Sequence, residues 1–395
     1  MIDLRGSRRR IERLGLVLAS TLLALTAAEV AIRVLDIGPL LVAVHEHNYQ
    51  LSANPLLGYE LKPGSTDGDA VTVNADGMRD HEYSVAKPAS TFRIAMIGDS
   101  VAFGLGVTGS ETVSSKLETL LSQHFSGEEL RFEVLNFGVT GYNATQIIEN
   151  LRSRALKYGP DLVLYLYCLN DPEEYSFEME HLLALMTPAQ ESYWSGLRKV
   201  KRGALGKSRL YLLARYAART RLRTDQRQHP APVWDQDDPQ WVSIQDGSYV
   251  GYFSGLYLAQ ASWAPLAAAF DALASGAVTG GAAVRILIVP LLHHLEEYRL
   301  SRVHIQLRTA FSDRALPFLD FLPLFAAYER REREAIGWDA LHLTAEGSEF
   351  AAVATLYDLL AVGALPGLER EDFGRILEST GASSRYARLV LETVG

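Results

Sequence analysis

The stretch Phe92-Arg93-Ile94-Ala95-Met96-Ile97-Gly98-Asp99-Ser100-Val101-Ala102-Phe103-Gly104-Leu105-Gly106-Val107 decides how the rest of the chain is read. It opens with an apolar run, Ile94 to Ile97, of the length and composition of a buried strand. The run stops at Gly98-Asp99-Ser100, and two glycines follow at 104 and 106. Beyond them, Val113, Leu117, Leu120 and Leu121 give Ser110 to Gln123 helical spacing, broken by Phe125-Ser126-Gly127. A strand, a tight turn bearing a serine, and a helix together lift a hydroxyl above the carboxyl edge of a parallel sheet. Open α/β sheets bind their ligands at that edge.

Working outward, the same rhythm recurs. Phe132 to Asn136 reads as a strand, followed by Gly138-Val139-Thr140-Gly141-Tyr142-Asn143 and a helix from about Ala144 to Lys157. Tyr158-Gly159-Pro160 closes that helix. The strongest apolar run, Leu162 to Leu169, ends in Asn170-Asp171. Val284 to Val289 reads as a further strand, stopped by Pro290, with His293-His294 beyond it read as a surface pair. Leu316 to Phe321 is the last strand. Trp338-Asp339-Ala340-Leu341-His342 then leads to a helix reaching about Val362, with Thr344 as N-cap and Gly363 as stop. This β-α-β alternation predicts an α/β fold with a parallel sheet and right-handed crossovers.

Two regions fall outside the rhythm. Residues 36–91 carry turn signals at Asn54-Pro55, Lys62-Pro63-Gly64 and Asp76-Gly77 around short extended pieces such as Ala70 to Val73. They read as an extended membrane-proximal connection outside the main sheet. His45 and His47 have the spacing of strand metal ligands, but no further ligand is near, so they read as solvent-exposed. From Pro172 to about Gly281 lies a mostly helical insertion. It is dense in cations between Arg198 and Arg227, then rich in aromatics: Trp234, Trp241, Tyr249, Tyr252, Phe253, Tyr257 and Trp263. One reading is a solvated basic face beside a small aromatic core; the other is a cover that meets substrate or membrane. Residues 364–395 form a helical tail without evident chemistry.

The 395 residues, 48% hydrophobic and 22% charged, suffice for a large globular core. A net charge of −9 excludes the basic footprint of a nucleic-acid protein. The single Cys168 excludes a disulfide framework within the chain and any cysteine-rich metal site, and its apolar run makes it a core residue. Arg5, Arg8, Arg9, Arg10 and Arg13 precede an apolar run from Leu14 that reaches spanning length, about 20 residues, at Leu35. That extension includes Glu29 and Arg33, which can pair four residues apart. Residues 1–35 are therefore expected to anchor the chain in a membrane, single-pass, with everything after them on the periplasmic or extracellular side. A signal peptide cleaved near Thr26-Ala27-Ala28 is the rival, and a buried soluble helix the third reading.

Four loops now hold Ser100, Gly141, Asn170 and the Asp339/His342 pair. A serine needs a base within hydrogen-bond reach to become a nucleophile, and His342 can take its proton while Asp339 orients the imidazole. The backbone N–H groups of Ser100 and Gly141 and the side-chain amide of Asn170 would receive the oxyanion. Asp99 and Asp171 are expected to hold loop backbone.

Gly98-Asp99-Ser100, Gly141, Asn170-Asp171 and Asp339-x-x-His342 resemble, in order and spacing, the four blocks of SGNH hydrolases, the GDSL esterases and lipases. The resemblance runs from about residue 90 to 362. It implies a flavodoxin-like three-layer α/β/α sandwich over residues 92–363, interrupted by the insertion at 172–281. It also implies serine-dependent attack on acyl esters with the roles just given, and calls for no cofactor and no metal. Leu57-Gly58-Tyr59, Lys62-Pro63-Gly64 and Asn74-Ala75-Asp76-Gly77-Met78-Arg79 are similar to bacterial membrane-anchored members, many associated with surface polysaccharide. Cys168 stands where the third block usually has glycine, and Val101 where leucine usually follows the serine.

The expected function is thus a membrane-anchored esterase acting on acyl esters, acetyl groups of a surface polysaccharide or lipid among them. The alternatives are an acyltransferase that draws its acyl group from a membrane acyl-donor protein, and a non-catalytic binding module.

Overall fold

The computed structural model describes residues 15, 17, 20–21, 23–31, 48–67, 71–124, 130–173, 249–292, 294–332, 336–380 and 384–394. The chain divides into two compact units, residues 1–44 with 187–228, and residues 45–186 with 229–395. In the first, the described residues between 15 and 31 are helical, with Val17, Leu23, Leu25 and Val30 exposed. Among the described residues no helix is long and apolar enough to cross a membrane. The arginines before position 14, His45, His47, His293 and the cations of 198–227 lie outside the described residues.

The second unit begins with two small antiparallel hairpins, β1 (Tyr49–Leu51) with β2 (Tyr59–Leu61) and β3 (Thr66–Asp67) with β4 (Val71–Thr72). The central sheet follows. Its strands are β5 (Thr91–Gly98), β6 (Arg131–Gly138), β7 (Leu162–Cys168), β8 (Ala283–Val289) and β9 (Phe318–Asp320). All pair in parallel, in the order β6-β5-β7-β8-β9. This is the doubly wound flavodoxin-type order, and its switch point lies where the chain, having moved from β5 to β6, turns back to β7. Gly98 stands opposite both Gly138 and Leu166 in register, so three loops leave one edge side by side.

Both faces of the sheet are covered, which explains why its strands are apolar runs rather than alternating ones. Ile94, Met96, Leu164, Leu166, Leu287 and Val289 belong to one large buried cluster. That face is covered by α2 (Val113–His124), α8 (Ala345–Ala361) and the C-terminal helices α9 (Asp372–Thr380) and α10 (Ser384–Val394). On the other face Tyr167 meets Phe270 and Phe311, at ring separations of 5.8 and 6.1 Å. These rings come from α5 (Gln260–Ala274) and α6 (Ser301–Ser312). The remaining helices among the described residues of this unit are α1 (Ser100–Phe103), α3 (Ala144–Ser153), α4 (Tyr249–Leu258) and α7 (Leu322–Glu332). The helix predicted to reach Lys157 stops at Ser153, and a 3-10 turn, Ala155–Tyr158, follows, ended by Gly159 in the left-handed region.

Two sequence expectations change in detail. The last part of the segment read as an insertion, α5, is the crossover that returns the chain from β7 to β8. Its Leu266, Phe270 and Leu273 face the sheet, but the surrounding alanines mask this stripe in the sequence. The C-terminal tail is part of the core: Phe373, Ile376, Leu377, Tyr386, Leu389 and Val390 are all buried in the same cluster as α8. Ile376→Ala, at a fully buried position, is therefore expected to lower unfolding free energy by about 2–5 kcal/mol. Denaturant unfolding of the variant beside the wild type measures this.

Candidate active site

Ser100 is the first residue of α1, a single helical turn that begins where β5 ends. Asp99 caps the turn, its Oδ1 accepting the Val101 N–H at 2.9 Å. Gly138, the last residue of β6, lies directly against this turn: an added Cβ there would sit 2.1 Å from the Phe103 nitrogen. The turn thus rests on two adjacent strand ends, and Ser100 is only 5% exposed.

His342 comes from a loop closed on itself. Gly337 and Leu343 form an antiparallel bridge, and the Trp338 N–H donates to the His342 carbonyl at 3.1 Å. Inside the loop Asp339 Oδ1 accepts the N–H groups of Leu341 and His342, at 2.8 and 2.7 Å. Its other oxygen, Oδ2, is 2.7 Å from His342 Nδ1. The opposite ring nitrogen, Nε2, is 2.9 Å from Ser100 Oγ, and Asp99 Oδ2 is the more distant alternative acceptor for that hydroxyl, at 3.4 Å. Asp339, His342 and Ser100 are therefore one hydrogen-bonded chain, assembled across 242 residues of sequence.

Burial by itself would push the Asp339 carboxyl up. The His342 hydrogen bond and charge, with the two backbone N–H donors, outweigh it and hold the group below its ordinary value. Because the folded value lies below the unfolded one, this stabilisation is complete at neutral pH. It fades only as pH falls through the depressed value.

The other two predicted residues sit on neighbouring loops. Gly141 occupies the left-handed region, φ 80°, in a turn closed by the Tyr142 N–H on the Val139 carbonyl at 3.2 Å. Asn170 follows β7, and its Nδ2 donates to Asp99 Oδ2 at 2.9 Å. Its buried Oδ1 has no hydrogen-bond partner among the described residues. One carboxylate, Asp99, therefore caps the Ser100 turn and also fixes the Asn170 amide. No hydrogen bond joins Gly141 to Ser100 or Asn170; its place beside them follows from the strand register.

Asp171 behaves differently. Burial, with the charge of Asp99, pushes its carboxyl well up, against the opposing bonds from the Tyr165 hydroxyl (2.6 Å) and the Cys168 N–H (3.3 Å). Burial also pushes the Cys168 thiol up, as fits a core side chain. His294 is exposed. Among the described residues no group of three or more His, Cys, Asp or Glu could hold a metal.

The segment before β5 supplies residues whose contact with the site the sequence did not reveal. Arg79 donates to the carbonyls of Phe103, Gly104 and Val107, just past the Ser100 turn. Burial lowers its pKa to about 10, which leaves it charged at neutral pH. Tyr59 donates to the Thr140 carbonyl at 2.5 Å, beside Gly141. The signals of these residues in the sequence were the Leu57-Gly58-Tyr59 and Asn74-to-Arg79 patterns, with no indication of what they touch.

The sequence model of the GDSL-like lipase/acylhydrolase family matches residues 96–350, about two thirds of the chain. The protein belongs to that family. It is thus an ester-bond hydrolase of the SGNH type, and no curated protein matches its sequence. Among solved structures, it is similar to a two-domain esterase (CEX) active on acetylated mannans, co-crystallised with mannopentaose. The identity is 11% and the TM-score 0.38, over 70% of this chain and 50% of that one, so the match spans half that esterase's length. The lipase/acylhydrolase from Enterococcus faecalis aligns at 13% identity and TM-score 0.37, over 68% of this chain and 95% of that one. For TesA the values are 12% and 0.34, over 73% and 99%.

The two aspartates of this acylhydrolase separate cleanly in a test. Asp99→Asn presents an NH₂ to the Asn170 amide, and the simplest repair is to flip Asn170, turning its donor away. Turnover of an activated ester should fall about 10²-fold with little loss of stability. Asp171 takes up a proton on folding, so the stability it contributes falls as pH rises above the ordinary carboxylate range. Asp171→Asn mimics the neutral acid and should unfold at nearly the wild-type temperature, with a flatter dependence on pH. Activity and thermal unfolding, followed from acid to alkaline pH, check both.

Proposed function

We propose that this acylhydrolase is a membrane-anchored serine esterase whose catalytic part lies outside the cytoplasm and removes acyl groups, acetyl among them, from a cell-surface carbohydrate or lipid. The observation that carries the chemistry is the Asp339–His342–Ser100 hydrogen-bonded chain. Ser100 Oγ attacks the ester carbonyl while its proton passes to His342 Nε2, and the imidazolium so formed donates through Nδ1 to Asp339. The Ser100 and Gly141 N–H groups and the Asn170 amide receive the tetrahedral oxyanion, where one lost donor typically costs about 3 kcal/mol. His342 then returns the proton to the leaving alkoxide, and the acyl group stays on Ser100. A water, deprotonated by the same imidazole, releases it as the acid.

Location and substrate class rest on the sequence. The arginines before the apolar run at 14–35 favour a retained anchor with the remainder translocated. The cations of 198–227 suit an anionic acyl ester, and Trp234 and Trp241 beyond them a glycan-bearing one, whereas Phe253 and Tyr257 further on are buried in the core.

The decisive experiment incubates the full chain with nitrophenyl acetate, with and without an acetylated oligosaccharide. The wild type should hydrolyse both substrates and take up a fluorophosphonate. Ser100→Ala should keep its fold, lose at least about 10³-fold in turnover and resist the label. Equal labelling of both proteins would overturn the assignment of Ser100. If an unacetylated oligosaccharide becomes acetylated in place of acetate release, the enzyme is a transferase.

A further inference from the structure

One residue of the His342 loop has no role in the scheme above. The Trp338 indole lies face to face with the His342 imidazole, ring centroids 5.1 Å apart and planes 14° from parallel. Its Nε1–H donates to the Leu105 carbonyl at 3.3 Å, in the loop that follows the Ser100 turn. That loop is held from its other side by Arg79, whose guanidinium stands 4.6 Å from the Phe103 ring centroid and donates to three carbonyls between Phe103 and Val107. Gly106 leaves room for the indole: at φ +90°, a Cβ there would lie 2.2 Å from Trp338 Nε1. The indole is therefore wedged between the loop after the nucleophile and the ring of the base.

A hydrogen bond at Nδ1 fixes one end of an imidazole but leaves the ring free to rock about that contact. A flat partner parallel to the ring removes this freedom. The indole face is also the negative end of a quadrupole. When the Ser100 O–H bond breaks and the proton joins Nε2, the ring gains a positive charge beside that face, an attraction present after proton transfer and absent before it.

We propose that Trp338 is a positioning residue for the acyl-transfer step: it holds the His342 ring in the plane that reaches Ser100 and stabilises the imidazolium formed there. The proposal rests on the serine-esterase reading. An interaction made only as the reaction proceeds appears in kcat and not in KM.

The test compares Trp338→Leu, which removes the aromatic face, with Trp338→Phe, which keeps a ring but loses the N–H. On nitrophenyl acetate, Trp338→Leu should lower kcat at least about tenfold with KM within about twofold. Trp338→Phe should recover most of that loss. Equal loss in both variants, or a change confined to KM, would overturn the proposal. A second measurement stays valid if the Leu variant does not fold. An imidazolium quenches an indole stacked on it, so in Ser100→Ala acid should quench the Trp338 emission, isolated as the difference from Ser100→Ala/Trp338→Phe. Substituting His342→Gln should abolish that quenching; quenching that persists would overturn the stack. If the wild type neither hydrolyses the ester nor takes a fluorophosphonate, the serine-esterase reading falls. If it does both and Trp338→Leu keeps full kcat, only the role of Trp338 falls.

Discussion

The site depends on the bonds made by the Asp99 carboxylate. One oxygen caps the helical turn that carries Ser100; the other takes the amide of Asn170 from the next strand. Both loops leave the sheet at its switch point, where parallel pairing already sets Gly98 beside Gly138 and Leu166. Strand register fixes these loops in the plane of the sheet, and the carboxylate fixes how their side chains face. Neighbouring Asp171, in an apolar and equally buried place, is pushed toward its neutral form instead. At Asp171 burial and the charge of Asp99 outweigh the bonds from the Tyr165 hydroxyl and the Cys168 N–H, which by themselves would hold the carboxyl down.

Around this edge the chain adds straps. Tyr59 and Gln146 tie the first hairpin to the Gly141 turn and to α3, through the Thr140 and Leu57 carbonyls. Arg79 reaches the loop after Ser100, and the Asp80 carboxylate accepts the Asn136 N–H from β6. These contacts are polar, made mostly to backbone, and come from residues that belong to no strand of the sheet. Buried loop backbone needs such partners, since an unpaired buried carbonyl or N–H costs as much as a lost hydrogen bond.

Much of this was legible in the sequence, for identifiable reasons. The strands Ile94–Ile97, Phe132–Asn136 and Leu162–Leu169 were readable because parallel strands covered on both faces are unbroken apolar runs. Ser100, Gly141, Asn170, Asp339 and His342 were readable because each sits at a strand end or loop where the residue type is informative. The crossover helix α5 was hidden because its stripe of Leu266, Phe270 and Leu273 lies among alanines. The hold of Asp99 on Asn170, and the roles of Arg79 and Tyr59, were hidden for another reason. Each acts through a contact 71, 24 or 81 residues away, and no local pattern encodes a partner at that distance. Trp338 stood in plain view directly before the Asp339-x-x-His342 motif, but only the folded loop shows that its ring lies on the imidazole.

The separation of 242 residues between Ser100 and His342 has a consequence for the chain while it is being made. Closing a loop of that size carries an entropic cost that only the finished core repays. The Ser100 turn, the Gly141 turn and Asn170 all leave the ribosome while His342 is still unmade, and α8, α9 and α10, which pack the same face of the sheet, come later still. A nascent chain therefore carries its serine as an ordinary alcohol. In the proposed mechanism, Ser100 gains its proton acceptor only once the His342 loop has been made and has folded against the Ser100 turn.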